Sequence, residues 1–404
     1  MKKVNIKLHV FPLILAASLM AMPGSIITSE GALADTDIEE PITGLEESSE
    51  GTGSEISSGN AEDTESSVKV QPDNDSQDEI HGIYVSAHVA GTSGMMNEII
   101  EHIDETSINA VVIDVKTDEG RIAFDMDSEF IDGLGVEDIL VKDMPGLLET
   151  LHEHGVYAIA RCVAFRDPFI DEIKPEWMLK NADGSVYEDA KGFNWIDPRV
   201  KEARDYLIEV AKGCRAAGFD EVQFDYVRFP TGIKEEDIGI NGYGRRRAVY
   251  EFVRYAHADL KKEAIPLSLD VFGTIINSVV DSDIVGQEYP WLSMDCEYLS
   301  PMIYPSHYYE GTMGIDYPDL HPYETIDGAM KNSDLALKIV NPLGKRQQAK
   351  VRPWLQGFTA SYLSKYRTYG VQELQDQIRA VNDNGVYSWI IWNPSCKYQW
   401  DAFK

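Results

Sequence analysis

The segment Phe219-Asp220-Glu221-Val222-Gln223-Phe224-Asp225-Tyr226-Val227-Arg228-Phe229-Pro230 holds the residues best placed to do chemistry. Its alternation predicts a buried strand, with Val222, Phe224 and Tyr226 on one side and Glu221, Gln223 and Asp225 on the other. The polar set then faces a barrel axis rather than a packed helix layer. Asp225 falls at the C-terminal end of a parallel strand, where barrel folds place their chemistry. Leu267-Ser268-Leu269-Asp270-Val271-Phe272-Gly273 repeats the pattern, with Asp270 on the mixed face. Adjacent strands lie about 4.8 Å apart, which brings two such carboxyls to roughly 5 to 5.5 Å. At that separation one carboxyl can protonate a leaving oxygen while the other attacks the carbon it leaves.

Other polar and aromatic residues converge on the same end. Asp114 and Lys116 share one predicted strand and are expected as an inward pair that holds the site or binds a hydroxyl. Arg161 and Arg228 are expected to keep Asp225 ionised, because a nearby positive charge favours the charged form. Tyr84, Tyr304, Trp354 and Trp392 fall at or near four strand ends, where flat rings stack on the apolar faces of sugars. Trp177 and Trp195 flank an expected Asp183-Gly184 hairpin turn in a long loop that would wall one side of a cleft.

The elements that must position these residues read as eight strands in a mostly regular alternation with helices. The predicted strands are 81–88, 110–116, 156–165, the segment ending at Asp225, 267–273, 296–304, 350–358 and 385–392. Helices are expected at about 93–105, 145–154, 200–217, 245–263, 324–340 and 371–384. Such alternation implies parallel strands with helical crossovers, and eight strands allow closure into a (β/α)8 TIM barrel. An open doubly wound sheet is the alternative, but His88-Val89-Ala90-Gly91-Thr92-Ser93-Gly94 lacks the glycine-rich phosphate turn.

Residues 1–34 read as a signal peptide: Lys2, Lys3 and Lys7 precede an apolar run from Phe11 to Met22, and Ala32-Leu33-Ala34 offers a cleavage pattern. Residues 35–79 read as an acidic disordered linker, with fifteen acids against Lys69 alone. Residues 80–404 then form one domain of barrel size. The chain is expected to be secreted or held at a bacterial cell envelope, with no membrane insertion after cleavage. A net charge of −32 repels nucleic acid and anionic membrane surfaces, and in a general way favours neutral or cationic substrates. Four cysteines without a C-x-x-C pair argue against zinc and against a disulfide framework. Asp125, Asp127 and Glu129 fail the calcium-loop pattern, and no G-x-S-x-G or H-E-x-x-H occurs. Neither a metal nor a cofactor is expected.

His81-Gly82-Ile83-Tyr84-Val85-Ser86, Phe224-Asp225-Tyr226-Val227-Arg228-Phe229-Pro230 and Trp354-Leu355-Gln356-Gly357-Phe358 resemble the bacterial putative glycoside hydrolase domain family, over nearly all of residues 80–404. The resemblance implies a TIM barrel distantly similar to α-amylase-like and α-galactosidase-like glycosidases, whose nucleophile is an aspartate ending strand four. That role falls on Asp225, and Gln356 joins the substrate-binding set. The relatives take their acid from a glutamate ending strand five or an aspartate on strand six. This chain has Asp270 at the first place and only Glu297 near the start of strand six.

Glycosidic hydrolysis needs one carboxyl as proton donor and a second as nucleophile or base. The reading is therefore a secreted glycoside hydrolase of a polysaccharide or oligosaccharide, with Asp225 as nucleophile in a retaining mechanism and Asp270 as general acid/base. Glu288 and Glu310 are the substitutes should Asp270 not be the acid. A catalytically silent carbohydrate-binding barrel at the cell surface and a barrel enzyme of other chemistry, such as a deacetylase or lyase, are the alternatives.

Overall fold

Runs of β-branched and aromatic residues make the staves of the barrel. In the computed structural model, which describes residues 79–404, these are β1 (His81–Val85), β2 (Ala110–Lys116), β3 (Tyr157–Val163), β4 (Glu221–Asp225), β5 (Leu267–Phe272), β6 (Tyr298–Met302), β7 (Lys350–Val351), β8 (Trp354–Gln356) and β9 (Trp389–Trp392). All pair in parallel, and β1 hydrogen-bonds both β2 and β9, so the sheet closes on itself. The closed ring has eight staves, because β7 and β8 are two halves of one. The expected seventh strand is interrupted at Arg352-Pro353, where proline has no N–H to give to the ladder. The expected leader and nearly all of the acidic linker lie outside the described residues.

Crossover helices α1 (Ser93–Ile103), α2 (Met144–Glu153), α3 (Lys201–Ala217), α4 (Gly242–Leu260), α5 (Pro322–Val340) and α6 (Val371–Asp383) surround the sheet, close to the predicted positions. The 17-residue α3 shows why. Ala203, Leu207, Val210, Ala211 and Cys214 recur at helical spacing and bury one stripe. Gly218 then stops the helix at φ 116°, a left-handed conformation that glycine adopts without a Cβ penalty. Cys214 on that stripe meets Cys162 of β3 with sulfurs 3.8 Å apart, and all four cysteines are buried and free.

Side chains of the odd residues of β4 enter the barrel in layers. At the floor, Glu221 pairs with Arg352, both side chains fully buried, and Arg352 lies 4.3 Å over the Tyr298 ring. Above it Gln223 donates to Ser300 Oγ at 3.4 Å. At the top sits Asp225. One irregularity changes the expected face of β2: its register with β3 slips between Asp114, opposite Arg161, and Lys116, opposite Cys162. A β-bulge of this kind re-aims every side chain beyond it.

The ring closes through β1 and β9, both within residues 81–392. A chain trimmed to residues 79–404 is expected to melt in one cooperative step, with a midpoint within about 2 °C of the full chain. A fraction of a kcal/mol moves a domain of this size by that much. A broad, non-cooperative transition by differential scanning calorimetry would contradict this.

Candidate active site

Three neighbouring strands build the first half of the barrel mouth around one buried guanidinium. Arg161 of β3 donates to Asp225 Oδ2 of β4 from Nε at 3.0 Å and from Nη2 at 2.6 Å. On its other side Nη1 donates to Asp114 Oδ1 of β2 at 2.6 Å, and Asp118 Oδ2 stands 3.6 Å from Nη2. Burial opposes the charge on Arg161, yet Asp114, Asp225 and Asp118 together hold it above the ordinary arginine range. The Tyr84 hydroxyl donates to the second oxygen of Asp114. Burial pushes the Asp114 carboxyl up, while Arg161 and the Tyr84 hydrogen bond pull against that rise.

The other half comes from β5. Phe224 lies opposite Leu269 in the β4–β5 ladder, so one further step sets Asp225 beside Asp270. Asp270 is 1% exposed, and its Oδ1 accepts the Trp354 indole N–H at 2.6 Å. Burial first, and the neighbouring Asp225 charge second, hold its carboxyl well above the usual carboxylate range. The Trp354 bond favours the anion but does not reverse this. The two expected acids thus sit side by side in unlike surroundings, one in an ion pair with arginine and one in a dry, indole-capped site. One carboxyl paired with a cation and one held up by burial can divide the roles of anion and proton donor.

The chain leaves β4 under strain. Tyr226 has φ 49°, an uncommon conformation for a bulky side chain that costs on the order of 1–2 kcal/mol. Its backbone N–H donates to Asp225 Oδ1 at 2.6 Å, so the turn fixes the second carboxylate oxygen. Its ring lies 5.3 Å from the Arg166 guanidinium and 4.7 Å from that of Arg228, and its hydroxyl accepts from Arg166 at 3.1 Å. On the opposite rim Tyr304 stacks on Trp392 with centroids 5.7 Å apart, and Phe358 meets Trp392 edge-on at 5.2 Å. His307 joins that cluster beside Tyr304, and burial pushes its imidazole down to about 4, leaving it neutral at ordinary pH.

Some expected residues lie elsewhere. The bulge after Asp114 turns Lys116 to the helix side, where it pairs with Asp167 at 2.8 Å and faces Tyr206 of α3; the inward pair with Asp114 does not form. Gln356 is fully buried and ties loops together, accepting from Ser306 N and donating to Asp319 and to the Phe358 carbonyl. Trp354, 2% exposed, is a hydrogen-bond donor to Asp270 rather than an open platform. Arg228 makes no ion pair with Asp225; it stands among Trp195, Tyr226 and Phe272. The Asp183-Gly184 hairpin forms, but Trp177 packs on Tyr206. Glu288 is engaged with Arg246, and Glu297 with His257 and Leu267 N. Among the described residues Asp125, Asp132 and Glu137 bring carboxylate oxygens within 4.8 Å of one another in the loop after β2.

Sequence reading passed over Asp118, Arg166 and Lys191. Arg166 follows Phe165, where the strand expected over 156–165 ends, which is the one local signal that marks it. Asp118 and Lys191 sit in loops whose path no periodicity specifies.

A family model described as "putative glycosyl hydrolase domain" matches residues 82–398. Among curated proteins none matches the sequence. Of solved structures, the PgaB (BpsB) glycoside hydrolase domain from Bordetella bronchiseptica aligns at TM-score 0.55 and 11% identity, over 80% of this chain and 95% of that one. The C-terminal domain of a putative chitinase from Desulfitobacterium hafniense DCB-2 aligns at TM-score 0.51 and 14% identity, over 80% and 96%. Both share the barrel fold. A hypothetical protein from Ruminiclostridium thermocellum ATCC 27405 is 31% identical over 47% of this chain and 97% of its own, at TM-score 0.41.

Two stability predictions follow from the paired charges. Arg161→Gln leaves Asp114 and Asp225 buried without a cation and should cost about 3–5 kcal/mol in urea unfolding, with part recovered by adding Asp225→Asn. A loss under about 1 kcal/mol contradicts the bridge. Asp270 has a raised value in the fold, so its contribution to stability is full below its ordinary value near 3.8 and is lost as pH rises toward the folded value. Asp270→Asn should therefore melt above the parent at pH 8, with the gap closing below about pH 4. A gap of the opposite sign, or one that widens in acid, contradicts the assignment.

Proposed function

The chain belongs to this family of putative glycosyl hydrolase domains, and on that premise we propose a secreted glycosidase of polysaccharides or oligosaccharides that works by a two-carboxylate retaining mechanism. One observation carries the reading: β4 and β5 carry adjacent acids in unlike surroundings, Asp225 bound to Arg161 and Asp270 held toward its protonated form. Asp225 attacks the anomeric carbon as Asp270 gives its proton to the departing glycosidic oxygen. The product of this step is a glycosyl ester on Asp225. Asp270, now the anion, takes a proton from water, and that water displaces Asp225 with net retention. Arg161 and the Tyr226 N–H fix which lone pairs of Asp225 face the sugar, and no side-chain reorganisation is needed as charge develops. Secretion rests on the basic and apolar pattern of residues 1–34.

A catalytically silent carbohydrate-binding barrel is the second reading. It is favoured by the near closure of the mouth, where Asp225 is 7% and Asp270 1% exposed. A glycan panel, with product stereochemistry read by NMR, separates the two. Release of a product whose anomeric configuration matches the substrate supports the retaining enzyme; binding without any cleavage supports the silent barrel.

On a substrate cleaved by the parent, Asp225→Asn should lose roughly 10³-fold or more in turnover, since an amide cannot attack the anomeric carbon. Near-native turnover would remove Asp225 from the mechanism. Asp270→Asn should slow substrates with poor leaving groups far more than activated aryl glycosides, and azide should restore part of the second step. Equal losses on both substrate types with no azide rescue would place the acid elsewhere.

A further inference from the structure

The loop hairpin after β3 and the turn after β4 gather cations whose acids are already engaged. Asp114 and Asp225 are bound to Arg161, and Asp118 is shared between Arg161 and Arg166 at 3.6 and 3.3 Å. Asp189 uses Oδ1 on the backbone N–H groups of Lys191 and Phe193 and Oδ2 on the Trp195 indole. Among the described residues this leaves Arg228 and Lys191 with no carboxylate within ion-pair distance.

Arg228 is the informative one. It is 4% exposed, three residues beyond Asp225, and its guanidinium carbon lies 4.6 to 5.1 Å from the rings of Phe272, Tyr226 and Trp195. A guanidinium carries five N–H donors, and among the described residues a single hydrogen bond, from Nη1 to the Phe229 carbonyl at 3.0 Å, engages them. Ring faces offset part of the cost of burying the charge but accept none of those hydrogens in the strong, in-plane way that an anion does. Burial pulls the guanidinium below the ordinary arginine range, Asp225 and Asp189 oppose this only from beyond ion-pair distance, and a ligand anion in contact offsets the remaining cost. Lys191 adds a second donor on the exposed side of the same patch. Its ammonium lies in the field of Arg166, Asp189 and Arg228: burial first and Arg166 second pull it below the ordinary lysine value, Arg228 adds to this, and Asp189 opposes it without reversing it.

We propose that the β3–β4 side of the mouth is a subsite for a sugar bearing an anionic substituent, held by Arg228 and Lys191 against the rings of Tyr226 and Trp195. The substituent is a carboxylate, phosphate or sulfate ester. This deepens the glycosidase reading and rests on it for the position of the scissile sugar. The overall negative charge of the chain, which disfavours anions at long range, makes a local pair of unmatched cations selective rather than merely attractive.

The test is ligand-observed NMR titration of the full chain with methyl glucuronide and methyl galacturonide, with the 6-phosphates and 6-sulfates of methyl glucoside and methyl galactoside, and with the neutral parents. At least one anionic glycoside is expected to bind tenfold or more tightly than its neutral parent. The ranking among carboxylate, phosphate and sulfate identifies the group. Arg228→Gln should bring the selectivity to within about twofold. Lys191→Gln, at an exposed position that the fold does not depend on, should reduce it several-fold. Neutral parents binding as well as every anionic form, or selectivity intact in both variants, overturns the subsite. The same titration on Asp225→Asn keeps the two readings apart. Arg228-dependent selectivity there, with no cleavage of any glycan by the parent chain, supports the subsite and sinks the glycosidase, while cleavage of neutral glycans by the parent chain without anionic preference does the reverse.

Discussion

Arg161 holds the barrel mouth together: one buried positive charge faces two buried carboxylates from the strands on either side. A buried charge is tolerable only when it is paired and hydrogen-bonded, so the bridge constrains β2, β3 and β4 at once. Removing Arg161 leaves two carboxylates uncompensated in a dry layer, whereas removing one aspartate still leaves the guanidinium a partner. The arrangement also explains why Asp225 can sit at the end of a fully buried strand. It is fixed on one oxygen by the guanidinium and on the other by the strained Tyr226 peptide, whose unusual φ the cation–π contacts of Arg166 and Arg228 help to hold.

Asp270 is governed by the opposite rule. Among the described residues it is bound by an indole N–H and by no cation, and the adjacent Asp225 makes a second negative charge unfavourable. Two aspartates that look alike in sequence therefore differ through their neighbours. That difference is what a double-displacement glycosidase needs, and it is built by the Arg161 ion pair on one side and by burial and the adjacent Asp225 charge on the other.

Much of this was legible in the strand periodicity. Alternation along 221–225 assigned Glu221, Gln223 and Asp225 to the interior, and all three point there, because a two-residue period leaves no other choice once one face is apolar. The same rule failed for Lys116. A single slipped residue after Asp114 reverses the face, and bulges have no reliable sequence signal when no glycine marks them. Trp354 was read as a stacking ring from its place at a strand end, whereas its indole N–H meets Asp270 across the barrel, a contact between residues 84 apart in sequence. Arg228 looked like a partner for Asp225 from a spacing of three. The tight turn at Tyr226 separates them instead and leaves the guanidinium among rings. Local spacing thus located the mouth, and long-range packing decided what each side chain does in it.

The central claim is that Asp225 forms the covalent bond to the sugar. It is tested most directly by treating the parent and the Asp270→Asn chain with a series of fluorinated glycosyl fluorides, neutral and uronic, and locating any adduct by peptide mass spectrometry. The account predicts a single glycosyl adduct on the peptide that contains Asp225, and none in Asp225→Asn. An adduct on a different carboxylate, or turnover of these reagents with inversion and no adduct, would contradict it.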